Sequence, residues 1–276
     1  MFGTTGRAVT RVGLGGEGVL RTTGRFHEAD AVIRAAAEQG ITYFDSARVY
    51  SDSELYYGGI WKPDPEKRKN IFQTSKSASR DKKGARKDLE ESLQRLETDY
   101  LDLWQIHDVR TSQDLEAISG PGGALEAFVE AREEGRIRFI GVTGHHDPEV
   151  LARAVRQWPV DSVMMPVNPV EEVLGGFLTK TLPAALEKKI AVIAMKIFGG
   201  GNYVAPHLGV TPELLMRYAL GKPVTVAIVG CSNISEVETL AEAGRLAKPL
   251  ADKEMDKLVA PFRENARELA FYRGVI

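Results

Sequence analysis

The sequence predicts an α/β fold, a (β/α)8 barrel with an N-terminal strand or hairpin and an appended C-terminal helix. Three observations point there. The chain has 276 residues, close to the roughly 250 that eight strand–helix units need. Short β-rich runs alternate with helical periods from residue 27 onward. No linker or large insertion breaks that alternation, so residues 1–276 are expected to form one domain. A doubly wound sheet explains the alternation equally well at first, but it rarely runs this far without interruption.

The elements follow in order. A short first strand is expected near Val9 to Leu14. Ala31, Val32, Ala35, Ala36 and Ala37 line a helix that Gly40 stops, and Thr42 to Asp45 reads as a short buried strand. Asn70 to Lys76 is the next strand, Leu89, Leu93 and Leu96 mark a helix face, and Tyr100 to His107 is a strand again. After the break at Gly120-Pro-Gly-Gly123, Leu125, Phe128 and Val129 belong to a helix ending at Gly135, and Ile137 to Val142 follows as a strand. Asp147-Pro148 and Thr211-Pro212 are helix starts, each with a capping oxygen and a proline in the first turn. Further strands are Ser162 to Met165, Ile190 to Met195 and Val224 to Val229, and a last amphipathic helix runs from about Asp252 to Ala270.

Composition narrows the function. Hydrophobic residues at 43% and charged residues at 27% suit a packed core. A net charge of −2, with both signs interspersed, offers no field for nucleic acid or an anionic membrane. Cys231 is the one cysteine, which excludes an internal disulfide or a cysteine-held metal cluster. No run approaches the ~18 apolar residues of a membrane span, and Met1 to Thr10 has no signal-peptide h-region, so a cytoplasmic protein is expected.

In a barrel of this kind, strand ends at the C-terminal face meet at one mouth. Here those ends carry Asp45, Lys76 and His107, with Tyr50 in the loop after Asp45. Their chemistries are complementary. An ammonium at Lys76 favours the phenolate of Tyr50 and so lowers its pKa, Asp45 keeps Lys76 charged and aimed, and His107 orients and polarises a carbonyl. Each residue taken singly also has an ordinary structural role: a cap, a loop anchor, a solvated end, a packed histidine. Together they describe a carbonyl reducer.

Phe44-Asp45-Ser46-Ala47-Arg48-Val49-Tyr50, followed by Ser53-Glu54, resembles the signature of the aldo-keto reductases. Thr74-Ser75-Lys76 and Gln105-Ile106-His107 resemble that family's lysine and histidine strand ends, and the similarity extends from Val12 to Cys231. The resemblance implies an Asp-Tyr-Lys-His tetrad, a small carbonyl substrate, and NADP or NAD bound in an extended pose across the barrel mouth. It also implies candidate cofactor contacts at Gly16, at Thr143-Gly144 and Met164, where many members carry Ser-Asn and Gln, and at Met195, Lys196, Phe198 and Gly199. At the adenosine end, Gly230-Cys231-Ser232 and Glu236 stand where NADP-using members carry Lys, Ser and Arg. Glu236 suits a ribose hydroxyl better than a phosphate, whereas Arg245 is near enough in sequence to serve an NADP site.

Other readings are weaker. Gly13, Gly15 and Gly18 match G-x-G-x-x-G, but the following residues do not open a βαβ unit. His145-His146-Asp147 suggests a metal hydrolase of the same fold, yet no His-x-His strand end supplies paired ligands. His145 is expected at the nicotinamide or substrate rim. A nicotinamide-binding partner subunit with little turnover is the main alternative to an enzyme.

Overall fold

The structure, a computed structural model, describes residues 1–274. Eight strands close a barrel in sequence order: β1 Val12–Gly18, β2 Tyr43–Phe44, β3 Phe72–Ser77, β4 Leu101–Ile106, β5 Ile137–Thr143, β6 Ser162–Pro166, β7 Ala191–Met195 and β8 Val226–Cys231. Every pairing is parallel, including β1 with β8, which leaves no free sheet edge. The first helices are α1 Phe26–Glu38, α2 Ser53–Trp61, α3 Pro65–Asn70 and α4 Lys82–Leu96. After β4 come α5 Ser112–Ser119 and α6 Ala124–Glu133, then α7 Pro148–Gln157, α8 Pro169–Leu174 and α9 Leu182–Glu187. The last are α10 Pro212–Gly221, α11 Ile234–Leu246, α12 Asp252–Val259 and α13 Ala266–Leu269.

Two side-chain layers follow from the period of two along each strand. Outward residues such as Phe44, Trp104 and Ile106 join the helices in the larger core. Trp104 stacks on Phe128 of α6 with ring centroids 3.6 Å apart, a packing role. Inward residues Tyr43, Phe72, Leu103, Met164, Ile193 and Val226 fill the barrel. The same parity then places Asp45 two residues after Tyr43, Lys76 four after Phe72 and His107 four after Leu103. All three fall on the interior side at the C-terminal mouth.

The expected N-terminal strand is β1 itself; residues 1–11 form no strand partner for a hairpin. They turn instead, with the Phe2 amide donating to the Arg7 carbonyl at 2.7 Å, and insert Phe2 beneath the barrel against Phe72 and Tyr43. The three glycines of the G-x-G-x-x-G spacing lie within β1, not in a strand-to-helix turn. Asp147 caps α7 by accepting from the Glu149 amide at 2.8 Å, and Thr211 caps α10 by accepting from Leu214. The helix expected from Asp252 to Ala270 is divided. Pro261 lies in a 3-10 turn at Ala260–Phe262 between α12 and α13, because a proline ring cannot continue an α-helical hydrogen-bond ladder. Among the described residues no helix is long and apolar enough to cross a membrane.

Candidate active site

Lys76 is enclosed, 1% exposed, and its Nζ donates to Asp45 Oδ2 at 2.6 Å and to the Ser46 carbonyl at 2.7 Å. The other Asp45 oxygen accepts from Thr74 Oγ1 at 2.9 Å, so the carboxylate is gripped from two sides. Burial opposes the charge on Lys76, but Asp45 and Tyr50 outweigh it and hold the ammonium above its usual range. Lys76 Nζ lies 4.7 Å from the Tyr50 ring centroid. The His107 ring stands edge-on to the same tyrosine, with centroids 5.7 Å apart and planes at 79°.

The Tyr50 phenol is pushed up, not down: burial dominates, Lys76 offsets part of it, and Asp45 and Glu17 add to the rise. The expectation of a lowered value counted the ammonium and left out the desolvation of the phenolate. Burial and the Lys76 charge press His107 down to about 3, so its imidazole is neutral near pH 7. His107 Nδ1 is buried with no hydrogen-bond partner among the described residues.

Local structure explains the placement. Gly16 on β1 makes room for Tyr50; a Cβ there would stand 2.5 Å from the tyrosine ring. Ser53 and Glu54 open α2 and fasten it to the interior. Ser53 Oγ accepts from Ser46 Oγ at 2.9 Å, and Glu54 accepts from Ser75 Oγ, beside Lys76, at 2.6 Å. Asp108 and Lys196, both bordering the mouth, have positive φ of 55° and 58° without being glycine, a local strain common at functional sites.

A cavity of about 760 Å³ covers these side chains. Asp45, Tyr50, Lys76 and His107 all line it, and so do Gly16, Thr143, Met164, Met195, Lys196 and His145. Phe198, Val229 and Gly230 belong to this wall and also to a second cavity of about 660 Å³, which Cys231 and Glu236 line. Three candidates stand apart from both. Gly144 is a packing glycine, where a Cβ would press to 2.9 Å from the Val109 carbonyl. Gly199 faces Tyr203, whose ring a Cβ would strike at 2.5 Å. Ser232 lines neither cavity and donates its amide to Glu236 at 2.7 Å. Cys231 is buried and its thiol is pushed up to about 12, first by burial and then by Glu236, which suits a packing role. Arg245 points away from the second cavity, donating to the Gln39 carbonyl and to Gln39 Oε1 at 3.3 and 3.2 Å.

Some lining residues had no signal in the local sequence. Phe271 borders the first cavity from the C-terminal segment, which is strapped down by distant partners. Tyr272 donates to the buried Glu171 at 2.8 Å, Arg273 pairs with the same carboxylate, and His145 Nδ1 lies 3.0 Å from the Tyr272 carbonyl. Arg21 stacks over the Tyr50 ring at 4.9 Å while paired with Glu17. Among the described residues no cluster of three or more His, Cys, Asp or Glu side chains is placed to hold a metal ion.

Comparison with known proteins decides the family. Residues 11–207 match the profile of the aldo/keto reductase family. The chain belongs to that family. Aldo/keto reductases are NAD(P)-dependent oxidoreductases, and so is this protein. It is 26% identical to L-galactose dehydrogenase of Arabidopsis thaliana over 99% of this chain and 97% of that one. It is 30% identical to D-threo-aldose 1-dehydrogenase of a Pseudomonas species over 63% of this chain and 60% of that one. In fold it is similar to the holo form of an aldo-keto reductase from Bacillus halodurans, with a TM-score of 0.76, 22% identity and coverage of 100% and 96%. It is likewise similar to an aldo/keto reductase from Klebsiella pneumoniae solved with NADP and acetate, with a TM-score of 0.73, 23% identity and coverage of 93% and 92%.

Proposed function

We propose that this aldo/keto reductase interconverts an aldehyde or ketone with its alcohol, using a nicotinamide dinucleotide and Tyr50 as the proton donor. The observation that carries the reading is the convergence of Asp45, Lys76, Tyr50 and His107 on the wall of one cavity. The two cavities meet along Phe198, Val229 and Gly230, and that continuous groove fits a long, extended dinucleotide. Lys196, on the wall of the first cavity, brings a cation that suits a pyrophosphate. When bound, the nicotinamide supplies the hydride.

The chain's own residues manage the oxygen and its proton. The raised pKa of Tyr50 keeps the phenol protonated before reaction, the state a proton donor needs. As the carbonyl oxygen gains negative charge it takes the phenolic proton, and the Lys76 ammonium stabilises the phenolate left behind. Asp45 holds Lys76 in place through its 2.6 Å ion pair. Neutral His107 keeps one ring N–H to donate to the substrate oxygen, adding no charge that would compete with Lys76. In the oxidative direction the same groups run in reverse, Tyr50 taking the proton back.

The L-galactose and D-threo-aldose dehydrogenases in the comparison act, by name, on sugars. Small aldehydes, diketones and sugar carbonyls therefore belong together in a substrate panel. The test is NADH and NADPH oxidation against that panel by wild type and Tyr50→Phe. Wild-type turnover with a loss on the order of 10²-fold or more in the variant is expected, from removal of a general acid. Nucleotide binding without turnover on any carbonyl would instead establish a binding subunit, and equal rates in the two proteins would remove Tyr50 from the mechanism.

A further inference from the structure

We propose that this chain binds NAD(H) in preference to NADP(H), and that the Glu236 carboxylate sets the preference. The inference rests on the proposed function, because that reading places the nicotinamide beside Tyr50 and Lys76. The rest of the dinucleotide then leaves along Phe198, Val229 and Gly230 and ends in the 660 Å³ cavity between α10 and α11. Apolar side chains of that cavity, among them Met216, Leu240 and Ala243, suit the face of an adenine ring. Its charged groups are of the opposite character to those a phosphate needs: Glu213, Glu236 and Glu242 stand against a single guanidinium, Arg217.

Arg217 is already committed. Its Nη1 and Nη2 donate to the two oxygens of Glu254 at 3.0 and 3.1 Å. Arg245, the other cation on this part of the chain that the sequence offered, is turned to Gln39 behind α1. Glu236 is fixed at the start of α11, accepting the Ser232 amide at 2.7 Å and the Asn233 side-chain amide at 2.9 Å. The Ser232 amide is the kind of helix-start donor that a phosphate would seek, and a carboxylate already holds it. A 2′-phosphate would bring about −2 of charge into this group of carboxylates. A ribose 2′-hydroxyl instead has a proton to donate, and a carboxylate with lone pairs to spare accepts it.

The three glutamates are exposed, so solvent and salt screen the repulsion, and the discrimination is graded. Equilibrium titrations of intrinsic fluorescence with NADH and with NADPH, without any carbonyl substrate, test it on wild type, Glu236→Gln and Arg245→Ala. The glutamine retains an oxygen acceptor for the Ser232 amide, so the helix start survives. Wild type is expected to bind NADH roughly tenfold tighter or more, and Glu236→Gln to shrink that ratio several-fold. Arg245→Ala leaves the ratio as in wild type, and raising the salt from about 0.05 to about 0.5 M narrows it. Equal or tighter binding of NADPH by wild type, or an unchanged ratio in Glu236→Gln, overturns this inference and leaves the oxidoreductase reading standing. Binding of neither nucleotide overturns both.

Discussion

Enclosure beside the Lys76 ammonium keeps His107 neutral, whereas the unfolded chain imposes no such constraint. With a folded pKa of about 3 against the ordinary 6.5, the unfolded state binds the extra proton first as the pH falls. Stability is therefore fully present above about pH 6.5 and is lost progressively toward pH 3. At pH 4 the loss from this one group is about 3 kcal/mol. Urea unfolding of wild type and His107→Gln from pH 7 to pH 4 reads this directly: the wild type should lose more, and parallel pH curves would show that the imidazole is not so confined. The convergence of Asp45, Lys76 and His107 on one cavity was legible because they stand at the ends of successive strands and parity fixes the side they face. What the sequence concealed was the sign of the Tyr50 shift. Spacing reveals a neighbouring charge, but the amount of water removed from a phenol depends on Gly16, on Arg21 and on the rest of a cavity wall gathered from the whole chain.

At the scale of elements, the helix starts were read correctly, whereas one break in the periodicity and the docking of the C-terminal segment were not. Asp147-Pro148 and Thr211-Pro212 cap the helices they announce, since cap and amide are three residues apart at most. Pro261 breaks the last helix where amphipathic periodicity alone ran through it. The docking of the strap from Ala266 to Gly274 gave no signal, because the groups that hold it, Asn168, Glu171 and His145, lie more than a hundred residues earlier. Arg273 is the critical partner. Glu171 is fully buried, and burial pushes its carboxyl up while Arg273 pulls it back down. Arg273→Met leaves that carboxylate without its cation, a loss on the order of 3–5 kcal/mol for a buried pair. Hydrogen exchange at residues 266–274 is expected to accelerate selectively, and KM for the carbonyl substrate to rise, since Phe271 on this strap borders the cavity. Exchange unchanged across the strap would show that the pair does not fasten it.

On the scale of the molecule, the barrel separates its tasks by face. The Asp45–Lys76 ion pair, the neutral histidine and the positive-φ residues Asp108 and Lys196 are gathered at the C-terminal mouth, and the opposite end is filled by apolar side chains together with the buried Arg68–Asp102 pair. Phe2 is the clearest part of that filling. It is fully buried, with its ring 4.7 Å from Phe72 and 6.2 Å from Tyr43 beneath the inward layer. It lines neither cavity, and its aromatic neighbours are Phe72 and Tyr43, not residues of the tetrad. Phe2→Ala removes a buried ring from a closed site that cannot collapse without shifting strands, so a cost of about 3–5 kcal/mol is expected. That corresponds to a fall in Tm on the order of 10 °C. Turnover well below the new Tm should stay close to wild type, the reverse of Tyr50→Phe, which should lose turnover on the order of 10²-fold or more and leave Tm nearly unchanged. Measuring both quantities on both variants tests the separation: a Phe2→Ala protein that keeps its Tm but loses turnover would mean that the two ends of the barrel are mechanically coupled.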